Sequence, residues 1–241
     1  QVLGKLDEAG ESYREAIAAQ PHFPEAHSSL LFASLHNAAL SAEEVLAEHL
    51  RFAERYEAPL REHWPVHDND RDPGRRLRIG FVSGDLFQHP VAHFIAPLWQ
   101  SLDREQFELR IYSQQVHSDD FTGHLRGLAD AWTNVVAMDD ATLAKRIQDD
   151  GIDILFDLSG HTAHHRLCLF ARKPAPVQAS WIGYPGTTGL RAMDYYVFNG
   201  FAAAPGLLED QFVEELVRLP APAPLQPPAG SPDVAPLPAL A

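Results

Sequence analysis

The sequence has 241 residues, of which 45% are hydrophobic, and its formal charge at neutral pH is −14. The length accommodates one large α/β unit with a helical appendage, and the negative charge disfavours nucleic acid and anionic lipid as partners. We find no apolar run that could span a bilayer and no signal-peptide pattern, so we expect a soluble, cytoplasmic protein without membrane association. The single cysteine, Cys168, excludes an intramolecular disulfide, which fits a reducing compartment.

The first 36 residues follow the pattern of a helical-hairpin repeat of the tetratricopeptide (TPR) type. Small residues, one tyrosine and a closing proline recur at the spacing of its second helix, and Pro24 then opens another helix. An ordinary amphipathic helix followed by proline is the alternative interpretation. Because such repeats cannot bury their faces alone, we expect the array to continue upstream in a longer protein. The residues with this spacing are Gly4, Ala9, Tyr13, Ala16 and Pro21.

A further helix is predicted from Ser41 to about Pro59, because a serine followed by acidic residues is a helix start. Prolines, Gly74 and alternating charges then predict a linker over residues 63–76. Residues 1–62 are therefore assigned to TPR-like and linking helices.

From residue 77 onward, short apolar runs alternate with helical stretches, which is typical of a parallel sheet covered on both faces. We predict a Rossmann-like, doubly wound α/β lobe over residues 77–220. The predicted strands are 77–83, 107–113, 134–137, 153–158, 177–182 and 195–198, and the predicted helices are 92–102, 121–131, 141–150 and 167–172.

Three loops at the predicted strand ends carry the informative residues, because ligands of such sheets bind at the carboxyl ends of the strands. The first loop contains Asp85 and His89, the second contains His161, and the third is the glycine-rich segment 183–189. The first loop lacks the second and third glycines of a dinucleotide fingerprint, which argues against a nicotinamide-dependent dehydrogenase.

Together these blocks resemble the O-linked N-acetylglucosamine transferase (SPINDLY-like) family. The resemblance is carried by residues 76–83, by Asp85, His89, Pro90 and His93, by residues 157–162, and above all by residues 174–189. It extends over residues 1–220. The resemblance implies a glycosyltransferase-B arrangement of two Rossmann-like lobes behind a TPR array, of which this chain contains the first lobe. The Pro/Ala-rich residues 221–241 are then the beginning of an interlobe linker.

The resemblance also implies an enzyme that transfers a sugar to serine or threonine of proteins, with inversion and without a metal or cofactor. UDP-N-acetylglucosamine is the expected co-substrate, and GDP-fucose stays open because the second lobe reads the nucleotide. The expected partners are acceptor proteins, bound through the TPR repeats, and the second catalytic lobe, without which this chain is expected to be inactive.

By the same resemblance, Asp85 and His89 are the expected catalytic residues, and the group that removes the acceptor proton stays open. His161 is expected to contact the acceptor. The expected lining of the sugar and peptide pocket is Ile182, Gly183, Tyr184, Pro185, Gly186 and Thr187.

Two positions depart from the family pattern. Tyr56 stands where we expect a site-facing histidine and is itself expected to be a substrate-binding residue, and Asn199 stands where we expect an aspartate after the last strand. Tyrosine is a poor base near neutral pH, so a TPR-linked interaction module with an inactive transferase lobe is the alternative function. A third class, another Rossmann-like enzyme such as a sugar epimerase, is disfavoured by the missing dinucleotide glycines.

Other interpretations of these residues are structural. Asp85 or His89 could cap the next helix, and the segment 183–189 could be a tight turn. Zinc binding was considered for the set His161, His164, His165 and Cys168. We predict no metal site there, because the two possible pairs would lie on different parts of a helix face.

Overall fold

The computed structural model describes residues 5–200 and 204–220. Three α-helices come first, and seven strands with four further α-helices follow. The predicted interlobe linker 221–241 and the predicted repeat position Gly4 lie outside the described residues. The helices are α1 Leu6–Ala19, α2 Pro24–Leu35, α3 Ala42–Tyr56, α4 Pro90–Ser101, α5 Asp120–Leu128, α6 Asp140–Asp149 and α7 Leu167–Phe170. The strands are β1 Leu77–Ser83, β2 Phe107–Ser113, β3 Ala131–Asn134, β4 Ile154–Asp157, β5 Val177–Trp181, β6 Tyr195–Asn199 and β7 Glu215–Leu219.

In the helical segment α1–α3, prolines and a capping serine mark helix boundaries. Pro24 is the first residue of α2, a position at which the missing amide hydrogen is not needed. Ser41 caps α3 through a reciprocal pair of hydrogen bonds with Glu44, of 2.8 and 3.2 Å. Helix α3 ends at Tyr56, and a 3₁₀ helix, Ala58–His63, contains the predicted stop at Pro59. In α1 the buried small residue is Gly10, next to the predicted Ala9.

The seven strands form one parallel sheet in the order β3-β2-β1-β4-β5-β6-β7. The chain winds outward from β1 in both directions, so a switch point lies between β1 and β4. One apolar core lies under α4 and α5 on one face, and the second lies under α6 and α7 on the other. The doubly wound α/β prediction is confirmed.

The helical segment shares a core with the sheet. Leu31, Phe52 and Tyr56 belong to the same buried cluster as Leu155 of β4 and Phe170 of α7. A helical unit with its own core would show no such continuity. The segment and the sheet therefore form one folded body within the described residues.

The predicted linker 63–76 is fastened to the amino-terminal edge of the sheet. Asp153 accepts hydrogen bonds from Asn69 Nδ2 and Arg75 Nη1, both at 2.7 Å, and from the amide of Arg78 at 2.8 Å. Trp64 Nε1 donates to the carbonyl of Ala171 at 2.9 Å. The segment 63–76 therefore packs against the sheet and is not a free linker between the helical segment and the sheet.

Two strand predictions were wrong in position or missing. The third strand was predicted over residues 134–137 but lies at Ala131–Asn134, since Val135 is buried in the turn that follows it. The last strand, Glu215–Leu219, was not predicted, because it is an edge strand with exposed Glu215 and Val217. In the part of the chain that the structure covers, no helix has the length and apolarity to cross a bilayer.

Candidate active site

The carboxyl ends of β1, β2 and β4 surround a cleft of about 290 Å³ at the switch point of the sheet. Asp85 and Phe87 enter it from the loop after β1, and His164 enters from the loop after β4. The other lining residues are Gly84, Gln114, Gln115, Val116 and His117. This is the position at which doubly wound sheets bind ligands.

The loop after β1 is held in place by one local hydrogen bond and by two to the start of α5. Ser83 Oγ accepts from the amide of Asp85 at 3.0 Å. The amide of Gln88 donates to Asp119 at 2.8 Å, and Thr122 Oγ1 donates to the carbonyl of Leu86 at 2.9 Å. Because Asp119 and Thr122 form the capping box of α5, the start of that helix determines where Asp85 stands.

Asp85 is a half-buried carboxyl between two imidazoles. Burial raises its pKa above the ordinary value, and the nearby His89 and His164 act in the opposite direction. A carboxylate with a raised pKa binds a proton more readily than a solvated one. Asp85 is therefore chemically suited to accept a proton from a bound hydroxyl.

His89 caps helix α4, and the cap determines its tautomer. Its Nδ1 accepts a hydrogen bond from the amide of Val91 at 3.3 Å. The neutral ring then carries its hydrogen on Nε2. His89 is partly exposed and can donate a hydrogen bond to a ligand oxygen through that atom.

The structure places His161 in the interior. Its Nε2 donates to the carbonyl of Thr188 at 3.0 Å, so its Nδ1 accepts from Ser28 Oγ at 2.9 Å. The side chain is 1% exposed. Both ring nitrogens are thus used to join α2 to the loop after β5, and neither is available to the acceptor contact that we expected.

The loop after β5 begins with a strained residue. Ile182 has a φ of 69°, a left-handed conformation that is rare for a β-branched side chain. A Cβ on Gly183 would lie 2.0 Å from the carbonyl oxygen of Leu158, so this position requires glycine. Such strain is found where the surrounding structure enforces a conformation, often at ligand sites. Ile182, Gly183 and Pro185 retain exposed surface.

The remainder of this loop faces the helices. Tyr184 is buried, and its hydroxyl donates to His49 Nε2 at 2.7 Å, while His49 Nδ1 donates to the carbonyl of Val45. Gly186 is buried against Leu35 of α2. Gly186, which was expected to line the pocket, thus lies against α2, and Gly189 lies against His49 of α3.

Thr187 is hydrogen-bonded to Glu214, the residue directly before the last strand. Its hydroxyl donates to the buried carboxylate of Glu214 at 2.6 Å, and the amide of Thr188 donates to the same group at 2.7 Å. Burial raises the pKa of Glu214. Thr187 is 3% exposed, so its hydroxyl stabilises the fold and is not accessible to a ligand.

Tyr56 lies apart from the cleft. It is buried against Phe52 and His27, and its hydroxyl donates to the carbonyl of Pro21 at 3.4 Å. Asn199 ends β6 and pairs with Leu219 of β7.

The site therefore brings Asp85 and His89 together at one strand end, and it adds residues that sequence reasoning did not assign to it. His164 was considered only as a zinc ligand, and Phe87, Gln114 and His117 were not considered. Residues 114–117 could have been predicted to line the site, because they directly follow β2 and β2 is the neighbour of β1 in the sheet. Among residues 5–200 and 204–220, no three His, Cys, Asp or Glu side chains are grouped so that they could hold a metal ion.

Comparison with known proteins identifies the family of the chain. The sequence profile of glycosyl transferase family 41 matches residues 24–223. A solved structure, a point mutant of the O-GlcNAc transferase of Thermobaculum terrenum, superposes with a TM-score of 0.88 at 41% identity. The match covers 97% of this chain and 45% of that one.

Curated relatives show the same relationship over about three fifths of the chain. The probable UDP-N-acetylglucosamine–peptide N-acetylglucosaminyltransferase SPINDLY of Arabidopsis thaliana is 42% identical over 158 residues, which are 64% of this chain and 17% of that protein. The UDP-N-acetylglucosamine–peptide N-acetylglucosaminyltransferase of Caenorhabditis elegans is 34% identical over 149 residues, 61% of this chain and 13% of that protein. The chain thus spans less than a fifth of the length of these relatives. It belongs to glycosyl transferase family 41.

Proposed function

We propose that this chain is the first lobe of the catalytic region of a protein O-glycosyltransferase, which transfers N-acetylglucosamine from UDP-N-acetylglucosamine to serine or threonine. Family membership and the names of the relatives support the reaction class and the donor. The observation that carries the proposal is the placement of Asp85 in the switch-point cleft of a doubly wound sheet, with His89 near its carboxyl at the start of α4.

The proposed chemistry is a single displacement. The hydroxyl oxygen of the acceptor forms a bond to C1 of the sugar, and the bond from C1 to the diphosphate oxygen breaks, so that the configuration inverts. The hydroxyl proton passes to the Asp85 carboxylate, whose raised pKa favours that transfer. His89 donates a hydrogen bond through Nε2 and orients the reacting oxygen. No step requires a metal or a cofactor.

The remaining predicted residues divide into two groups in this proposal. Ile182, Gly183 and Pro185 line the exposed side of the pocket for sugar and acceptor. The others support it from beneath by holding the helical segment against the sheet, and they are His161, Tyr184, Gly186, Thr187 and, through the shared core, Tyr56.

A second lobe and a longer TPR array belong to the same proposal. The second lobe would supply the contacts to the nucleotide and diphosphate, and the repeats would bind acceptor proteins in the cytoplasm. The match to less than half of the solved relative supports the division into lobes. The alternative of an inactive interaction module depended on Tyr56, and the burial of Tyr56 in the core removes that support.

The test is transfer of radiolabelled sugar from UDP-N-acetylglucosamine, and separately from GDP-fucose, to acceptor proteins. It uses the full-length protein in which this chain occurs, as wild type and as the D85N and H89A variants. We expect incorporation from UDP-N-acetylglucosamine and a loss of about 10²-fold or more in each variant. The matched control is H124Q, on the exposed surface of α5, which should retain full activity.

Preference for GDP-fucose would contradict the proposed donor, and full activity of D85N would contradict the proposed base. Calorimetric titration of the 241-residue chain with either donor should show no binding, since the nucleotide contacts are assigned to the second lobe. Tight binding would contradict that assignment.

A further inference from the structure

His164 borders three clefts at the carboxyl edge of the sheet. It lines the cleft of Asp85, a cleft of about 540 Å³ beside α2 that Phe32 also lines, and a third of about 370 Å³ near the start of α6. Its side chain is exposed. His164 is therefore where the Asp85 cleft meets the surface between the sheet and the helical segment.

The backbone places His164 closely. Its φ is 60°, in the left-handed region that favours glycine and asparagine. It also packs against the loop after β1, because a Cβ on Gly84 would lie 2.9 Å from the Cβ of His164 and 3.5 Å from its carbonyl oxygen. Since Gly84 precedes Asp85 directly, this packing places His164 against the loop that carries the carboxyl, and both residues line the same cleft.

The charges around the pair determine what the imidazole can do. A positive charge on His164 or on His89 favours the ionised form of Asp85 and opposes the effect of burial. The other titratable or charged groups that line the three clefts are Glu25 of α2, His117 after β2, Asp139 and Asp140 at α6, His161, His165 and Arg166 of the same loop as His164, and Cys168 of α7. Arg166 pairs with Asp140 at 2.8 Å, so these two charges largely cancel.

We infer that His164 is a positioning residue of the transfer site, which stabilises the ionised Asp85 carboxylate and forms the wall between the Asp85 cleft and the cleft beside α2. The role of His164 in catalysis rests on the proposed function. The effect of His164 on the ionisation of Asp85 is independent of the proposed function, and it can be measured without turnover.

The experiment is a ¹³C NMR titration of the Asp85 carboxyl in the full 241-residue chain, as wild type, H164N, H164G and H164K. Asparagine and glycine accept a positive φ, so both variants should fold. We expect the pKa of Asp85 to rise by about half a unit or more in H164N and H164G, which is about threefold in the ionisation equilibrium. H164K places a cation at this position and should return the titration toward that of the wild type.

The matched control is H117N, which removes an imidazole from the same cleft but not one of the two that act on Asp85. Its Asp85 titration should match that of the wild type. An unchanged titration in H164N and H164G overturns the inference, and so does an equal shift in H117N.

A second measurement uses the full-length protein. The acidic limb of the pH profile of kcat/KM should move upward by the same half unit in H164N, and the KM for the acceptor should rise. An unmoved limb contradicts the role in catalysis. Absence of transfer in the wild type would contradict the proposed function. The NMR titration would still test the effect of His164 on Asp85.

Discussion

Two loops at the same edge of the sheet use glycine-containing sequences in opposite ways. The loop after β1 leaves Asp85 and His89 partly exposed beside a cleft, whereas the loop after β5 buries Tyr184 and Thr187. In the second loop each polar side chain has a partner in a distant segment, such as His49 or Glu214. The loop after β1, the open loop, thus leaves its polar side chains accessible to a ligand. The loop after β5, the closed loop, uses its polar side chains to join the helical segment to the sheet.

The largest effect should come from the closed loop. G183A would place a Cβ 2.0 Å from the carbonyl oxygen of Leu158, and backbone atoms cannot move aside easily. We expect a loss of more than about 4 kcal/mol in the free energy of unfolding, measured by urea denaturation. The control is G123A on α5, where a Cβ meets nothing within 4 Å and should stabilise by about 0.5–1 kcal/mol. Equal stability of the two variants would contradict this account.

Acid should weaken the same interface through His49. Burial lowers the pKa of His49 to about 4, whereas an imidazole in an unfolded chain titrates near roughly 6.5. The unfolded chain therefore binds the proton first as the pH falls, so the contribution of His49 is complete above about 6.5 and is lost toward 4.

This contribution amounts to about 3 kcal/mol over that window. The measurement is the difference in unfolding free energy between the wild type and H49Q at pH 7.5, 5.5 and 4.5. We expect the advantage of the wild type to shrink as the pH falls. A constant difference would show that His49 does not titrate as its burial requires.

A smaller effect is expected from Y184F. The variant leaves Nε2 of His49 without its donor inside the protein, which should cost about 1–2 kcal/mol in thermal or urea unfolding. Y195F, on a partly exposed tyrosine of β6, is the matched control and should change stability by less than about 0.5 kcal/mol. The comparison fails if both variants behave alike.

The smallest effect on stability is expected at the open loop. Since burial raises the pKa of Asp85, its ionised form is not favoured by folding, and D85N should change the unfolding free energy by no more than about 0.5 kcal/mol at pH 7.5. The same variant should lower the rate of transfer by about 10²-fold or more. Strong destabilisation by D85N would mean that the carboxyl serves the fold, as Glu214 does.

The sequence was sufficient for five of the seven strands, all but β3 and β7, and for the position of the first site loop. The apolar runs at β1 and β2 predict Leu77–Ser83 and Phe107–Ser113 to the residue. Asp85 and His89 could be placed together because they follow one strand and lie four residues apart. The roles of His161 and Thr187 could not be predicted, since their partners Ser28 and Glu214 are 133 and 27 residues away in the chain.

By itself, the sequence determined the α/β class, the strand-end loops and the family pattern, because apolar periodicity and contiguous motifs are local properties. Only the tertiary structure decided which loop stays open. That choice depends on whether α2, α3 and β7 cover the strand ends, and it places His164 beside Asp85 through the contact with Gly84. A polar residue at a strand end can bind a ligand only if no distant segment has already satisfied its hydrogen bonds.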